Sequence, residues 1–398
     1  MNMASGVEIT TELMGQIMRE VEKDNSIVVL PCLQVHELNE DLHGGSCISR
    51  VTVTYTRHGD TSQHTLPVIV KVQPNISLLA DIAHHSSVFP REIHMFDEIL
   101  PRMSALLSKA LPGRHSELSA QVYYTRKTPS YLIAIEDLSP KGFKAAKRKD
   151  GLDLKHCLLA LKELARFHAA SVMIHRDDKR LFTVFDKYIF LEPGLNEFTN
   201  KVYGRLIPII CQAIESWPEF GRSWADGVQH RYKMLIEDLK HVWKRDDNGF
   251  NVLNHGDFGV HNVMYRYSES SGEVEDIMFV DFQGCSYNSP VLDLIQFIFG
   301  SANIDVKANH IDTLLKEYHV ELMATLEALG APQHQTITLS HLISEFDSKM
   351  IYGFFYTVCF VPILSIDAST IPGFNIQDFF SINEMEFIIF GQLLQIHI

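Results

Sequence analysis

Residues 253–294 read LNHGDFGVHNVMYRYSESSGEVEDIMFVDFQGCSYNSPVLDL, and within them two carboxylates, Asp257 and Asp281, sit among apolar neighbours. The segment NVMYRY and the segment IMFVDF have the apolar and aromatic character of short strands, and the polar run SESSGEVED between them reads as a hairpin loop. A hairpin brings the residues at its open end together. Asp257 and Asn262 on one side and Asp281 on the other are therefore expected to converge on one small site. An Asp where a strand ends is ordinarily a turn residue. The spaced set of His255, Gly256, Asp257, Asn262 five residues on, and Asp281 after an apolar run is harder to read that way.

A carboxylate beside an amide and a second carboxylate supplies what phosphoryl transfer needs, namely oxygen ligands for Mg²⁺ and a group to accept a hydroxyl proton. The reading makes Asp257 the base, and Asn262 and Asp281 the metal ligands. Such chemistry requires a cation upstream, and Lys71 lies inside the apolar strand LPVIVKV (66–72). With Ile69 and Gln73 it should point away from Val68, Val70 and Val72. An ammonium buried there needs an anionic partner, and Glu92, on an expected helix in REIHMFDEIL, is the candidate. Taken alone, Lys71 would read equally well as an edge-strand lysine with its head in water. Gly44 and Gly45, ahead of a strand, could place backbone amides on phosphates. No GxGxxG and no Walker motif is present, so this is the weakest element of the set.

Working outward, RVTVTYT (50–56) and LPVIVKV pair as a hairpin around a turn-rich loop, and SYLIAIEDL (130–138) is a further strand that stops at SPKGF. Helices follow. In LKHCLLALKELARFHAAS (154–171) the apolar positions recur at i, i+3, i+4 and i+7. His168 on that face is expected to be a satisfied core histidine. Segments 311–329 and 341–364 also read as helices, and VLDLIQFIFG resumes one after a break at 285–290. The expected architecture is α+β and bilobal, with a small N-terminal antiparallel-sheet lobe (1–137) and a larger, mainly helical C-terminal lobe (138–398) carrying the catalytic loop, metal site and acceptor pocket.

Composition agrees with a folded chain. Of 398 residues, 46% are hydrophobic and 21% charged. A formal charge of −14 argues against a nucleic-acid surface, which needs clustered Lys and Arg. It leaves room for a nucleotide, since salt screens exposed charge beyond roughly 8 Å. The six cysteines show no CxxC or zinc spacing, and no signal peptide or membrane span is legible, so a reduced, cytoplasmic protein is expected. A monomer is the simplest expectation for its oligomeric state.

The pieces VIVKV, REIHMFDEILP, YLIAIEDLSPKGF, LARFHAAS, LNHGDFGVHNVMY and FVDFQGCSYNSPVLDL, in this order, resemble the ecdysteroid kinase-like proteins, also called CHK kinase-like, relatives of choline kinases and aminoglycoside phosphotransferases. The resemblance covers most of the chain. It implies a protein-kinase-like fold that uses ATP and Mg²⁺ to phosphorylate a small-molecule alcohol, with an ecdysteroid or a xenobiotic hydroxyl as acceptor. It implies Asp257 as base, Asn262 and Asp281 as Mg²⁺ ligands, Lys71 on the phosphates with Glu92 as its partner, and Glu136, Asp137 and Leu138 as the hinge meeting the adenine. His255 and Asp293 would brace the catalytic loop. Two departures stand out. The family usually carries Trp where this chain has Gly259, after Phe258, and Pro90 constrains the start of the Glu92 helix.

Other readings are a choline or ethanolamine kinase, for which no cage for a quaternary amine is legible, and a silent pseudokinase that binds a lipophilic ligand. A protein kinase fits less well, since the second Asp is followed by Phe-Gln and no Ala-Pro-Glu follows. The aromatic segments YGFFYTVCF (352–360) and PGFNIQDFF (372–380) would line an acceptor pocket or simply fill the core.

Overall fold

A computed structural model of the chain describes residues 7–38, 46–60, 62–73, 87–114, 116–147, 151–191, 204 and 207–361. The N-terminal part is built on an antiparallel sheet of six strands: β1 (Val28–Val29), β2 (Gln34–Glu37), β3 (Cys47–Thr56), β4 (His64–Val72), β5 (Val122–Arg126) and β6 (Leu132–Glu136). The spatial order is β1, β3, β4, β6, β5, with β2 also pairing β3. Alternation along β3 and β4 does the sorting. Val51, Val53, Val68 and Val70 are fully buried on one face, where Met14, Ile17 and Met18 of helix α1 (Thr11–Glu22) cover them. Thr10 starts that helix by accepting the Leu13 amide on its side chain. The opposite face of β4 carries Ile69 and Lys71 toward the site.

Helix α2 (Val88–His94) passes through a π turn (Met95–Ile99) into α3 (Leu100–Ala110). Pro90 lies in the first turn of α2, where its missing amide costs nothing. Arg91, buried, fastens the helix to the rest of the molecule. Its guanidinium donates to the Cys285 carbonyl at 2.7 Å, the Lys187 carbonyl at 2.9 Å and Ser87 Oγ at 2.6 Å.

The C-terminal lobe gathers around α4 (Leu154–Asp177), whose N-cap Asp153 accepts the His156 amide. His168 on its buried face bonds Tyr318 Oη at 2.7 Å and Asp293 Oδ2 at 3.2 Å, so it is the satisfied core histidine expected. Around α4 stand α5 (Gly221–Trp243), α6 (Val291–Ser301), α7 (Ile311–Ala328), α8 (Leu339–Ser348) and α9 (Met350–Phe355). Strands β9 (Val263–Tyr267) and β10 (Val274–Phe279) form the expected hairpin, to which β7 (Phe143–Ala145) adds a third strand. A two-stranded ladder joins β8 (Val252–Asn254) to β11 (Ser286–Asn288).

This is the bilobal α+β architecture read from the sequence, with two local differences. The hairpin loop is shorter than SESSGEVED, because Val274 already pairs with Tyr267 and an irregularity follows before Asp276. The helix expected over 341–364 is divided: α8 ends at Ser348, Lys349 leaves helical geometry, and α9 runs into a π turn at Tyr356–Phe360. Lys349 Nζ bonds the Val242 carbonyl at 3.1 Å, an anchor that a pattern of apolar spacing cannot register. Among the described residues no helix is long and apolar enough to cross a membrane.

Candidate functional site

The turn between β8 and β9 is held from behind by Asp293 of α6. Its carboxylate accepts the His255 amide at 2.6 Å and the Gly256 amide at 2.9 Å, while the His255 ring bonds the Val280 carbonyl at 3.1 Å. Gly256 has φ +77°, and a Cβ there would stand 1.9 Å from the Gly284 carbonyl oxygen. The loop carrying Asp257 and the loop following Asp281 thus touch backbone to backbone, which only glycine allows. A Val280 amide to Asn262 carbonyl bond of 3.0 Å ties the same two loops.

Asp257 is fixed at both oxygens. Asn262 Nδ2 donates to Oδ2 at 2.9 Å and also to the Asp257 carbonyl, Gln296 Nε2 donates to Oδ1 at 3.1 Å, and His261 Nε2 lies 3.3 Å from Oδ1. Burial works against ionisation here, yet His261, His255 and Asn262 outweigh it and hold the carboxyl below its ordinary range. Gln296 in turn bonds Tyr356 Oη at 3.1 Å. Neither Gln296 nor Tyr356 was singled out by sequence. They stand 39 and 99 residues beyond Asp257, and an amide in VLDLIQFIFG carries no motif that announces it.

Lys71 occupies the centre of the second half of the site. Its ammonium meets Glu92 Oε2 at 2.7 Å and Asp281 Oδ1 at 2.8 Å, and it is almost fully buried. One ammonium facing two carboxylates leaves an excess negative charge. Burial, reinforced by Asp281, raises Glu92 above the ordinary carboxylate range against the pull of Lys71. The two carboxylates overcome burial and hold Lys71 cationic. Asp281 itself has φ 65° and ψ 70°, a left-handed conformation uncommon outside glycine and kept by the surrounding contacts.

A single pocket is lined by Lys71, Glu92, Asn262, Asp281 and the strand end Glu136, Asp137 and Leu138, with Ile69, Ile135 and Met264 giving it apolar walls. Of the lining residues, Arg50 pairs with Asp137 at 2.7 Å, and Glu136 with Lys141 at 2.8 Å. Asp257 adjoins this pocket through Asn262 and His261. Of the residues expected at the site, Lys71, Glu92, Glu136, Asp137, Leu138, Asn262 and Asp281 are therefore brought together, with Asp257 at their side. Gly44 and Gly45 lie outside the described residues. So does PGFNIQDFF, whereas Tyr352, Phe355 and Tyr356 of the other aromatic segment are buried in the core against one another and Trp243.

The sequence profile of the ecdysteroid kinase-like family matches residues 43–331, which include the pocket residues just described and Asp257 with its partners Asn262, His261 and Gln296, but not the aromatic segments beyond α7. The chain belongs to the ecdysteroid kinase-like family. A search of curated proteins returned no match. Within this family assignment, the matched span runs from just before β3, which carries Arg50, to just past α7, so it takes in part of each lobe and the whole Lys71, Asp257 and Asp281 constellation.

Proposed function

We propose that this ecdysteroid kinase-like protein transfers the γ-phosphoryl group of ATP to the hydroxyl of a small-molecule alcohol, with Mg²⁺ as cofactor. The observation that carries the reading is Lys71, held between Glu92 and Asp281 at 2.7 and 2.8 Å in a pocket that also contains Asn262. Phosphoryl transfer is largely positioning plus electrostatics, and these are the positions it needs filled.

The donor set fits a divalent cation. Asp281 and the Asn262 amide are hard oxygen donors, and the cluster around Lys71 carries more carboxylate than ammonium. Among the described residues no group of three or more His, Cys, Asp or Glu is arranged to hold a metal. Mg²⁺ needs no such cage, since one or two protein oxygens with phosphate and water oxygens complete its octahedron. When bound, it would offset the charge on the phosphate oxygens.

The chain's own residues have separate tasks in this reading. Lys71, kept cationic, binds the nucleotide phosphates, and Glu92 orients it from α2. Glu136 and Asp137 have their side chains engaged by Lys141 and Arg50, so the segment through Leu138 offers the adenine its backbone. Asp257, ionised and pinned at both oxygens, accepts the proton of the acceptor hydroxyl as that oxygen attacks. The division of the lobes near residues 137 and 138 belongs to the same reading. The family name points to an ecdysteroid alcohol as acceptor, and a xenobiotic alcohol fits the same chemistry.

The test is incubation with MgATP and a panel of sterol, glycosidic and amino-alcohol acceptors, with products weighed by mass spectrometry. A product heavier by one phosphoryl group, formed with Mg²⁺ and lost in Asp281→Asn, is the expected result. ATP binding without transfer to any acceptor would turn the reading toward a silent ligand-binding relative, and no Mg²⁺-dependent ATP binding would end it.

A further inference from the structure

Gly259 has φ −142° and ψ 170°, extended backbone that any residue adopts, so its own conformation does not call for glycine. What calls for it is a neighbour. A Cβ at 259 would stand 2.6 Å from Cε1 and 2.9 Å from Nδ1 of His261, closer than real side chains approach. The space left by the missing side chain is the space the imidazole fills.

The ring's placement has a consequence at Asp257. The His261 side chain is 12% exposed, its Nε2 lies 3.3 Å from Asp257 Oδ1, and the residue lines the same pocket as Lys71, Asn262 and Asp281. The remaining donors to that carboxylate are Gln296 on Oδ1 and Asn262 on Oδ2. Gln296 is shared with Tyr356 on the far side, while His261 approaches from the side of the pocket. An exposed histidine four residues from an aspartate would be a weak surface pair. This one is largely buried, and the backbone beside it is stripped of a side chain to admit it.

We propose that His261 is a positioning residue for Asp257, donating from Nε2 to fix the carboxylate plane for the acceptor hydroxyl, and that Gly259 is the residue that makes this placement possible. The proposal rests on the phosphotransfer reading, in which Asp257 is the base. It makes residues 259 and 261 a coupled pair. A change at 259 acts on turnover through the ring rather than through the acceptor directly.

The experiment is a double-mutant cycle in the full chain with MgATP and the best acceptor of the wild type, using His261→Ala, His261→Gln, Gly259→Ala and the double Gly259→Ala/His261→Ala. His261→Ala should lower kcat about ten-fold, the worth of one hydrogen bond to a charged group, with KM for ATP nearly unchanged. His261→Gln, whose amide can replace Nε2–H, should recover most of the loss. Gly259→Ala should lose about as much as His261→Ala, and the double variant no more than either. Losses that multiply in the double variant, or a wild-type kcat in His261→Ala, would overturn the proposal. A second measurement does not depend on turnover: long-range ¹H–¹⁵N spectra of the histidine side chains in wild type, Asp257→Ala and Gly259→Ala. The His261 resonances should place a proton on Nε2 and move in both variants. If no acceptor is phosphorylated the phosphotransfer reading fails by itself, whereas His261 resonances unmoved in both variants refute the placement of the ring.

Discussion

Glu163 shows how a single buried carboxyl carries a measurable signature. It sits on α4, 8% exposed, with Oε2 bonded to Arg166 at 2.6 Å and Oε1 without a hydrogen-bond partner among the described residues. Burial pushes it up to about 7 from 4.5, with Asp276 and Glu321 adding to the shift and Arg166 opposing it. Between these two values the native state holds a proton that the unfolded chain has released. Stability contributed at this residue is therefore full below pH 4.5, falls as pH rises through 7, and is then absent. Glu163→Gln, which mimics the protonated form, should remove that slope. Urea unfolding at pH 5 and pH 8 should show the variant gaining roughly 2–3 kcal/mol relative to wild type at the higher pH. An equal difference at both values would contradict the assignment. Residues of the site differ in how far sequence announces them. Asp257, Asn262 and Asp281 are legible because their chemistry and spacing lie within one short segment, and Lys71 because an ammonium in an apolar strand demands a partner. Gln296 and Tyr356 are not, because what matters about them is a contact between α6 and the π turn that only folding creates.

At the scale of elements, periodicity gave α4 and the β9 to β10 hairpin, since a 3.6-residue or two-residue repeat reports which face is buried. It missed the break at Lys349 and the third strand that β7 adds beside β9, both set by tertiary contacts. The contact between the loops that carry Asp257 and Asp281 belongs to this scale. Gly256 lies against the Gly284 carbonyl, and its positive φ adds strain for any other residue. Gly256→Ala should therefore lose more than about 3 kcal/mol of stability in urea unfolding and lose turnover with it. A variant with the wild-type midpoint would show that the loops do not pack as described. Arg91 acts similarly for α2, carrying Glu92 to Lys71 by gripping the Cys285 and Lys187 carbonyls, 194 and 96 residues away.

Across the whole molecule, the sheet of the N-terminal lobe supplies Lys71 and the helical lobe supplies Asp257, Asn262 and Asp281, with the Lys71 to Asp281 ion pair joining them over 210 residues. The bilobal plan was legible because strand patterns come first in the chain and helical ones after. The second carboxylate partner of Lys71 was not, since the sequence offers many acids and does not say which of them folding brings to the ammonium. The proposed function divides the labour between Lys71, which holds the nucleotide phosphates, and Asp257, which takes the acceptor proton. It is tested most directly by measuring ATP affinity and single-turnover phosphoryl transfer in wild type, Lys71→Met and Asp257→Asn. Asp257→Asn should bind ATP as the wild type does while transfer falls by roughly 10²- to 10⁴-fold, and Lys71→Met should weaken ATP binding. Transfer at the wild-type rate in Asp257→Asn would contradict the account.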